Sequence, residues 1–321
     1  MEWRNRVHFG DCRVTLRRLA AAGARVQMCV TSPPYYGLRS YLPEGSPDKA
    51  REIGQEATPE LYVAALVDVF RAVREVLADD GTLWLNIGDT YAADSGARPP
   101  RKSGDCFGNH SVTYPAPLGV PAGLKPKDLI GIPWMLAFAL RADGWYLRQE
   151  IVWHKPNPMP ESVRDRCTKA HESLFLLAKS ERYLFDAAAI AEPASDPRGP
   201  GNVRPVRALP GERGGHANAN MRGSLHRIGA REQRNKRSVW TIPTRPYQRA
   251  HFATFPPALV EPCILAGSRA GDVVLDPFVG SGTTAEVAQR LGRAWVGCDL
   301  NEAYAPLQQE RTRQPGLELY A

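Results

Sequence analysis

No stretch of the 321 residues approaches the ~18 consecutive apolar positions of a membrane-spanning helix. The N-terminal Met1-Glu-Trp-Arg-Asn-Arg also lacks the apolar core of a signal peptide. Neither a membrane span nor secretion is expected. Cysteine is sparse: Cys12, Cys29, Cys106, Cys167, Cys263 and Cys298 are scattered, without a CxxC pair or zinc-like Cys/His spacing. That pattern argues against a disulfide scaffold and a metal site, and predicts reduced thiols, several of them buried. Acidic residues are in deficit, 34 against 41 basic, for a net charge of +7. The surplus predicts an acidic partner, nucleic acid first, and says nothing about fold. There is no internal repeat.

What is present suits an α/β protein. Hydrophobic residues make up 43% and charged residues 23% of a chain long enough for one large domain. Asp11 can cap a short helix beginning near Arg13, and Val26 to Val30 reads as a buried strand that stops at consecutive prolines. Thr58-Pro59 is a helix start, and Tyr62, Leu66, Val69, Val73 and Val76 continue at helical spacing as far as Asp79-Asp80-Gly81. Strands are predicted at Thr82 to Ile87, Leu147 to Trp153 and Leu174 to Ala178, with a helix from Ile132 to Arg141. The last eighty residues give a helix at Pro257 to Leu265, a strand at Val273 to Asp276, a glycine turn, a helix at Thr283 to Leu291 and a strand at Ala294 to Asp299. Such alternation predicts a largely parallel sheet covered on both faces.

Two motifs carry chemistry. In the first, the strand Val273-Val274-Leu275 ends in Asp276-Pro277-Phe278-Val279-Gly280-Ser281-Gly282-Thr283-Thr284. A carboxylate followed by a small-residue turn lets a ligand approach the backbone at the carboxyl end of a strand. It is not a Walker loop, and the third glycine of a dinucleotide fingerprint is missing. Asp299 ends the next strand, where a carboxylate can accept hydrogen bonds from ribose hydroxyls, so the pair favours a nucleoside cofactor. In the second motif, Thr31-Ser32-Pro33-Pro34-Tyr35-Tyr36 follows a buried strand. A stiff turn, a hydroxyl, free proline carbonyls and an aromatic face suit an exocyclic amine that needs acceptors while its ring is stacked. An ordinary Pro-Pro loop with surface tyrosines is the plainer reading of that motif alone.

Together the motifs resemble the amino-group DNA methyltransferases of restriction–modification type, in the beta arrangement. There the S/D/N-P-P-Y/F/W motif precedes the cofactor motif. The resemblance identifies Ser32, Pro33, Pro34 and Tyr35 as catalytic, and Asp276, Pro277, Phe278, Gly280, Ser281, Gly282, Thr283 and Thr284 as the cofactor motif. It also implies that Asp11, in Gly10-Asp11, lies near the cofactor adenine and that Asp299 binds its ribose. Phe255, within His251 to Pro256, would close over the methionine end. Trp84 to Asp89 and Trp153 to Pro158 resemble segments lining the site. The implied fold is the class I S-adenosylmethionine-dependent methyltransferase fold, Rossmann-like, with seven mostly parallel strands, one reversed, and helices on both faces. S-adenosyl-L-methionine is the implied cofactor and double-stranded DNA the partner, with no metal. A homodimer and a cognate restriction endonuclease are further candidate partners. The expected location is the cytoplasm of a bacterium or archaeon, or of a phage-infected cell, beside the nucleoid.

Residues 1–190 form the expected catalytic half, interrupted by a loop insertion at 92–127, and 241–321 form the cofactor half. Between them, residues 191–240 hold ten basic residues, among them Arg222, Arg227, Arg231, Arg234, Lys236 and Arg237, against four acidic ones. Few core-forming residues interleave. A charge run is usually a solvated loop, but beside a methyltransferase core it is expected to contact DNA, since Arg and Asn suit phosphates and base edges. Arg98, Arg101, Lys102 and His110 in the earlier insertion form a weaker second candidate.

The expected reaction is direct methyl transfer to a flipped base, with Ser32 and the Pro33 carbonyl accepting from its amine. His154 and His171 are read as structural or DNA-contacting, and Cys263 is not read as a nucleophile. Serine at the first motif position favours the N4 amine of cytosine over the N6 amine of adenine. An RNA methyltransferase and a non-catalytic DNA-binding protein are the remoter alternatives.

Overall fold

A computed structural model describes residues 3–43, 45–92, 101–102, 113–114, 119–194, 232–244 and 256–313. Its main sheet contains β1 (Arg6–Phe9), β2 (Val26–Thr31), β3 (Leu77–Ile87), β4 (Tyr146–His154), β5 (His171–Ala178), β6 (Val239–Thr241), β7 (Val273–Asp276) and β8 (Ala294–Asp299). The spatial order is β1-β8-β7-β2-β3-β5-β4-β6. Neighbours run parallel except β5, which is antiparallel to both β3 and β4. The single reversed strand agrees with expectation; the count of eight, not seven, does not. At one edge, β6 straddles the expected boundary between the basic segment 191–240 and the cofactor half, where burial of Trp240 fixes only three residues of ladder.

Six helices among the described residues are longer than one turn: α1 (Cys12–Ala21), α2 (Pro59–Val76), α3 (Ile132–Ala142), α4 (Pro257–Gly267), α5 (Thr283–Arg290) and α6 (Ala305–Thr312). Strand alternation sorts them onto the two faces of the sheet. Cys29, Leu83 and Leu85 point into the core shared with α1, α2 and α3. Met28, Thr82 and Trp84 point the other way, against Gly267 of α4. Tyr62, Leu66, Val69, Phe70 and Val73 of α2 are wholly buried, each worth roughly 1.5–3 kcal/mol against exposure.

The caps follow from the sequence. Asp11 accepts from Arg13 N at 2.9 Å at the start of α1, and Thr58 accepts from Leu61 N at 3.3 Å, with Pro59 at the first position of α2. α2 ends at Val76, short of the predicted Gly81, because Leu77 already pairs with Val26 in the sheet. Asp89, in a segment read as lining the site, instead caps α3, accepting from Gly131 N and Ile132 N at 3.0 Å each.

The chain divides into two compact units, residues 1–185 with 238–321, and residues 186–237. In the second, Glu192–Pro193 pairs antiparallel with Gln233–Arg234. Arg222, Arg227 and Arg231 lie outside the described residues, as do Arg98 and His110. No helix among the described residues is long and apolar enough to cross a membrane.

Candidate active site

β7 delivers Asp276 to the carboxyl edge of the sheet, and the chain then turns through Pro277–Gly282 into α5. Gly280 (φ 49°) and Gly282 (φ 90°) lie in the left-handed region, which explains the small residues of the motif. Asp276 is 1% exposed and accepts three hydrogen bonds: from Thr31 Oγ1 and Thr284 Oγ1 at 2.6 Å and from Phe278 N at 3.0 Å. Burial pushes its carboxyl up to about 6, against the three donors. The turn is tied further by Val279 N donating to Cys298 O at 3.0 Å. From α6, Gln308 Nε2 donates to Gly280 O and Arg311 to Ser281 Oγ, at 2.8 and 2.7 Å.

Asp299 ends β8 beside this turn. Its carboxylate accepts from Asn301 N at 2.9 Å and Gln308 Nε2 at 2.8 Å, and burial pushes it up to about 7. Asp11 sits across from it at the end of β1, bound bidentately by Arg13, with Nη2 at 2.7 Å. Burial raises the Asp11 carboxyl, but the Arg13 hydrogen bonds and charge outweigh it and hold the group below its ordinary value.

The Ser32-Pro33-Pro34-Tyr35 turn leaves β2, the neighbour of β7. Tyr62 of α2 donates to Pro34 O at 2.7 Å and pins the turn from beneath. Tyr36 is buried, 3% exposed, so it is no surface tyrosine. Tyr35 is half-buried and donates its phenol to Glu172 Oε2 at 2.6 Å, with Asn86 Oδ1 at 3.3 Å. Burial raises the phenol far above its ordinary range, the Glu172 charge adds to this, and the Ser32 hydroxyl opposes it.

A cavity of about 610 Å³ joins both ends. Ser32, Pro33, Pro34 and Tyr35 line it on one side; Pro277, Phe278, Gly280, Ser281, Thr283 and Asp299 line it on the other, with Asp11. Asp276, Gly282 and Thr284 do not line it. They hold the turn from behind, because the Asp276 carboxylate faces the Thr31 and Thr284 hydroxyls inside the protein. Phe255 lies outside the described residues.

Sequence reasoning also missed one whole wall, formed by Leu38, Tyr41, Leu42, Arg51, Glu52 and Ile53. Glu52, 9% exposed, accepts from Ser40 Oγ at 3.0 Å and Leu42 N at 3.3 Å and pairs with Lys49. Nothing periodic in that loop signals a buried acid. Asn86, Lys155 and Glu172 also line the cavity. The first two fall in segments the resemblance marked, and a polar Asn at the end of an apolar strand was the available signal.

Outside the cavity, His154 Nδ1 contacts Thr241 Oγ1 at 3.1 Å and His171 is exposed. Cys263 is fully buried in α4, while Cys167 is exposed and unbridged. In the second unit, Arg234 and Arg237 both pair with Glu192, at 3.0 and 2.7 Å.

A largely parallel sheet with one reversed strand, and a cavity at its carboxyl edge between a glycine turn and a Pro-Pro turn, define a class I methyltransferase fold. A family model for DNA methylases matches residues 26–310. Type II methyltransferase M.SmaI of Serratia marcescens is 47% identical over 307 residues, 95% of this chain and 90% of that protein. Type II methyltransferase M.XycI of Xanthomonas campestris pv. cyanopsidis is 45% identical, over 94% of this chain and 85% of its own. Among solved structures, a DNA modification methylase of Thermus thermophilus, TTHA0409, complexed with S-adenosyl-L-methionine, aligns with TM-score 0.54 and 25% identity over 96% of this chain and 92% of that one. The PvuII DNA methyltransferase, described as cytosine-N4-specific, shares the fold with TM-score 0.60 at 16% identity, over 97% of this chain and 87% of that one. The chain belongs to the N6/N4 DNA methylase family, the amino-group DNA methyltransferases of restriction–modification type.

Proposed function

We propose that this DNA methyltransferase is site-specific and moves a methyl group from S-adenosyl-L-methionine to the N4 amine of cytosine in double-stranded DNA. The observation that carries the reading is the cavity lined by both Ser32–Tyr35 and the Pro277–Ser281 turn with Asp299. Its cofactor end fits a nucleoside. Asp299 keeps acceptor capacity beyond its bonds to Asn301 and Gln308, as ribose hydroxyls require, and the glycine turn exposes backbone. When bound, the cofactor supplies a methyl group already activated on a sulfonium centre, so no strong base is needed.

The remaining work falls to the chain. Tyr35 presents its ring to a base flipped from the duplex. Ser32 and the Pro33 carbonyl accept from the amine and turn its lone pair toward the methyl. Most of the rate comes from holding the two reactants in line. Nothing here calls for a covalent enzyme intermediate, and Cys263 is buried away from the cavity.

Serine at position 32 supports cytosine, because relatives with serine there mostly modify cytosine and those with aspartate mostly adenine. The test is to incubate the protein and S-adenosyl-L-methionine with unmethylated DNA, digest to nucleosides and identify the product by mass spectrometry. N4-methyl-2′-deoxycytidine is expected. N6-methyl-2′-deoxyadenosine as the main product overturns the cytosine assignment, and, in a parallel incubation with RNA, methylated RNA beside untouched DNA overturns the substrate.

A further inference from the structure

Tyr35 has its hydroxyl on a carboxylate that is itself held from the other side. Glu172 Oε2 accepts hydrogen bonds from the Tyr35 hydroxyl at 2.6 Å and from Asn86 Nδ2 at 3.2 Å. The other oxygen, Oε1, takes the Lys155 ammonium, which lies over the Trp153 ring at 4.4 Å from its centroid. Glu172 is paired opposite Trp153 in the β4–β5 ladder, so the acid stands on sheet backbone and not on a loop. Lys155 and Glu172 are 18% and 16% exposed, dry enough for the pair to be little screened.

We propose that Glu172, clamped by Lys155, is a positioning residue that locks the ring plane of Tyr35. The inference rests on the reading of Tyr35 as the face that stacks the flipped base. A phenyl ring anchored only at Cβ can swing about two torsions, and a stacking partner that swings does not hold a reacting amine in line. The phenol bond to a charged acceptor removes that freedom at the far end of the ring. Glutamine removes the negative charge and puts an NH2 where one of the two acceptor oxygens stands, so either the phenol or the ammonium loses its charge-assisted bond.

The test is a double-mutant cycle on single-turnover methyl transfer to DNA, with Tyr35→Phe, Glu172→Gln and both. Each single change should slow transfer about tenfold, the loss of one charge-assisted hydrogen bond. Because Glu172 acts through the hydroxyl, the double variant should also be slowed about tenfold. Affinity for S-adenosyl-L-methionine should stay unchanged in all three. If the double variant is slowed about a hundredfold, the two residues act independently and the proposal fails. It fails equally if either single variant keeps the full rate, or if Glu172→Gln loses cofactor affinity. Should Glu172→Gln not fold, Glu172→Asp keeps the charge beside Lys155 but withdraws the carboxylate from the phenol, and the same outcomes apply to it. An unaltered protein that methylates no DNA refutes the functional reading instead.

Discussion

Thr31 donates its hydroxyl to the carboxylate of Asp276 at 2.6 Å, across 245 positions of sequence. The bond joins the residue before Ser32 to the first residue of the cofactor motif. Asp276 uses its other acceptor sites on Thr284 and Phe278, which fix the start of α5 and the turn. One buried acid therefore sets the spacing between the half of the cavity that holds a methyl donor and the half that holds its acceptor. Asp276→Ala would take the acceptor from two buried hydroxyls and the part-buried Phe278 amide, at ~1–3 kcal/mol each, and is expected to destabilise the protein strongly in urea unfolding.

The milder Asp276→Asn exposes the acid's pH signature. Burial raises this carboxyl to about 6 from 3.8, so the folded state holds the proton more tightly than the unfolded chain. The group's stabilisation is full below pH 3.8 and lost as pH rises through 6. Between about pH 5 and about pH 7.5 the parent should lose ~1 kcal/mol relative to Asp276→Asn, measured by urea unfolding at both values. A difference independent of pH shows that the acid does not titrate in this range.

Gly88 has no Cβ where one would stand 2.5 Å from Tyr35 Cε2. Alanine there needs no unusual backbone, but it must displace the aromatic ring from its hydrogen bond to Glu172 or shift the backbone against it. Gly88→Ala is expected to lower methyl transfer more than about tenfold, a displacement of ~1 Å being enough for that. Cofactor affinity should be preserved. Full turnover in this variant removes the ring's placement from the mechanism.

Strands and motif residues are legible in the sequence, but the direction of a side chain often is not. The bounds of β7 and β8 can be read to the residue, because strands covered on both faces are continuous apolar runs. By contrast, β1 is four residues, Arg-Val-His-Phe, defined only by its ladder with β8. α6 carries no clear signal because it buries little beyond Leu307 and Gln308, and its polar Gln faces inward to hold Gly280 and Asp299. Asp276 is recognisable as the motif acid, yet a carboxylate ending a strand can face a ligand or the core, and here it faces the core. The Lys155–Glu172 pair depends on the register of β4 with β5, which no spacing along the chain encodes.

Asp299 and Ser32 should separate binding from chemistry. Asp299→Ala removes an acceptor from the nucleoside end. At about pH 8, above its raised value of about 7, that acceptor is charged, and its loss is expected to weaken S-adenosyl-L-methionine binding by about ten- to a hundredfold, ~1.5–3 kcal/mol. Ser32→Ala should abolish most transfer with cofactor affinity near normal. Calorimetric titration of both variants, with tritium transfer to DNA alongside, gives the comparison. If Asp299→Ala leaves the dissociation constant unchanged, the ribose role is wrong.

The last expectation concerns DNA and the basic segment. Arg234 and Arg237 share Glu192 in this structure, so each must leave that acid to meet a phosphate. If the segment binds DNA, the acid competes with the duplex for two guanidinium groups. Glu192→Gln should then tighten DNA binding and steepen its salt dependence, because each phosphate contact contributes ~0.9 to the slope of log K against log salt. Neutralising Arg227, Arg231, Arg234 and Arg237 together should do the reverse, weakening binding and flattening the slope. Cofactor affinity should not move in either variant. Binding isotherms on one duplex across several salt concentrations make the measurement, and slopes that match the parent in both variants reduce the segment to a solvated loop.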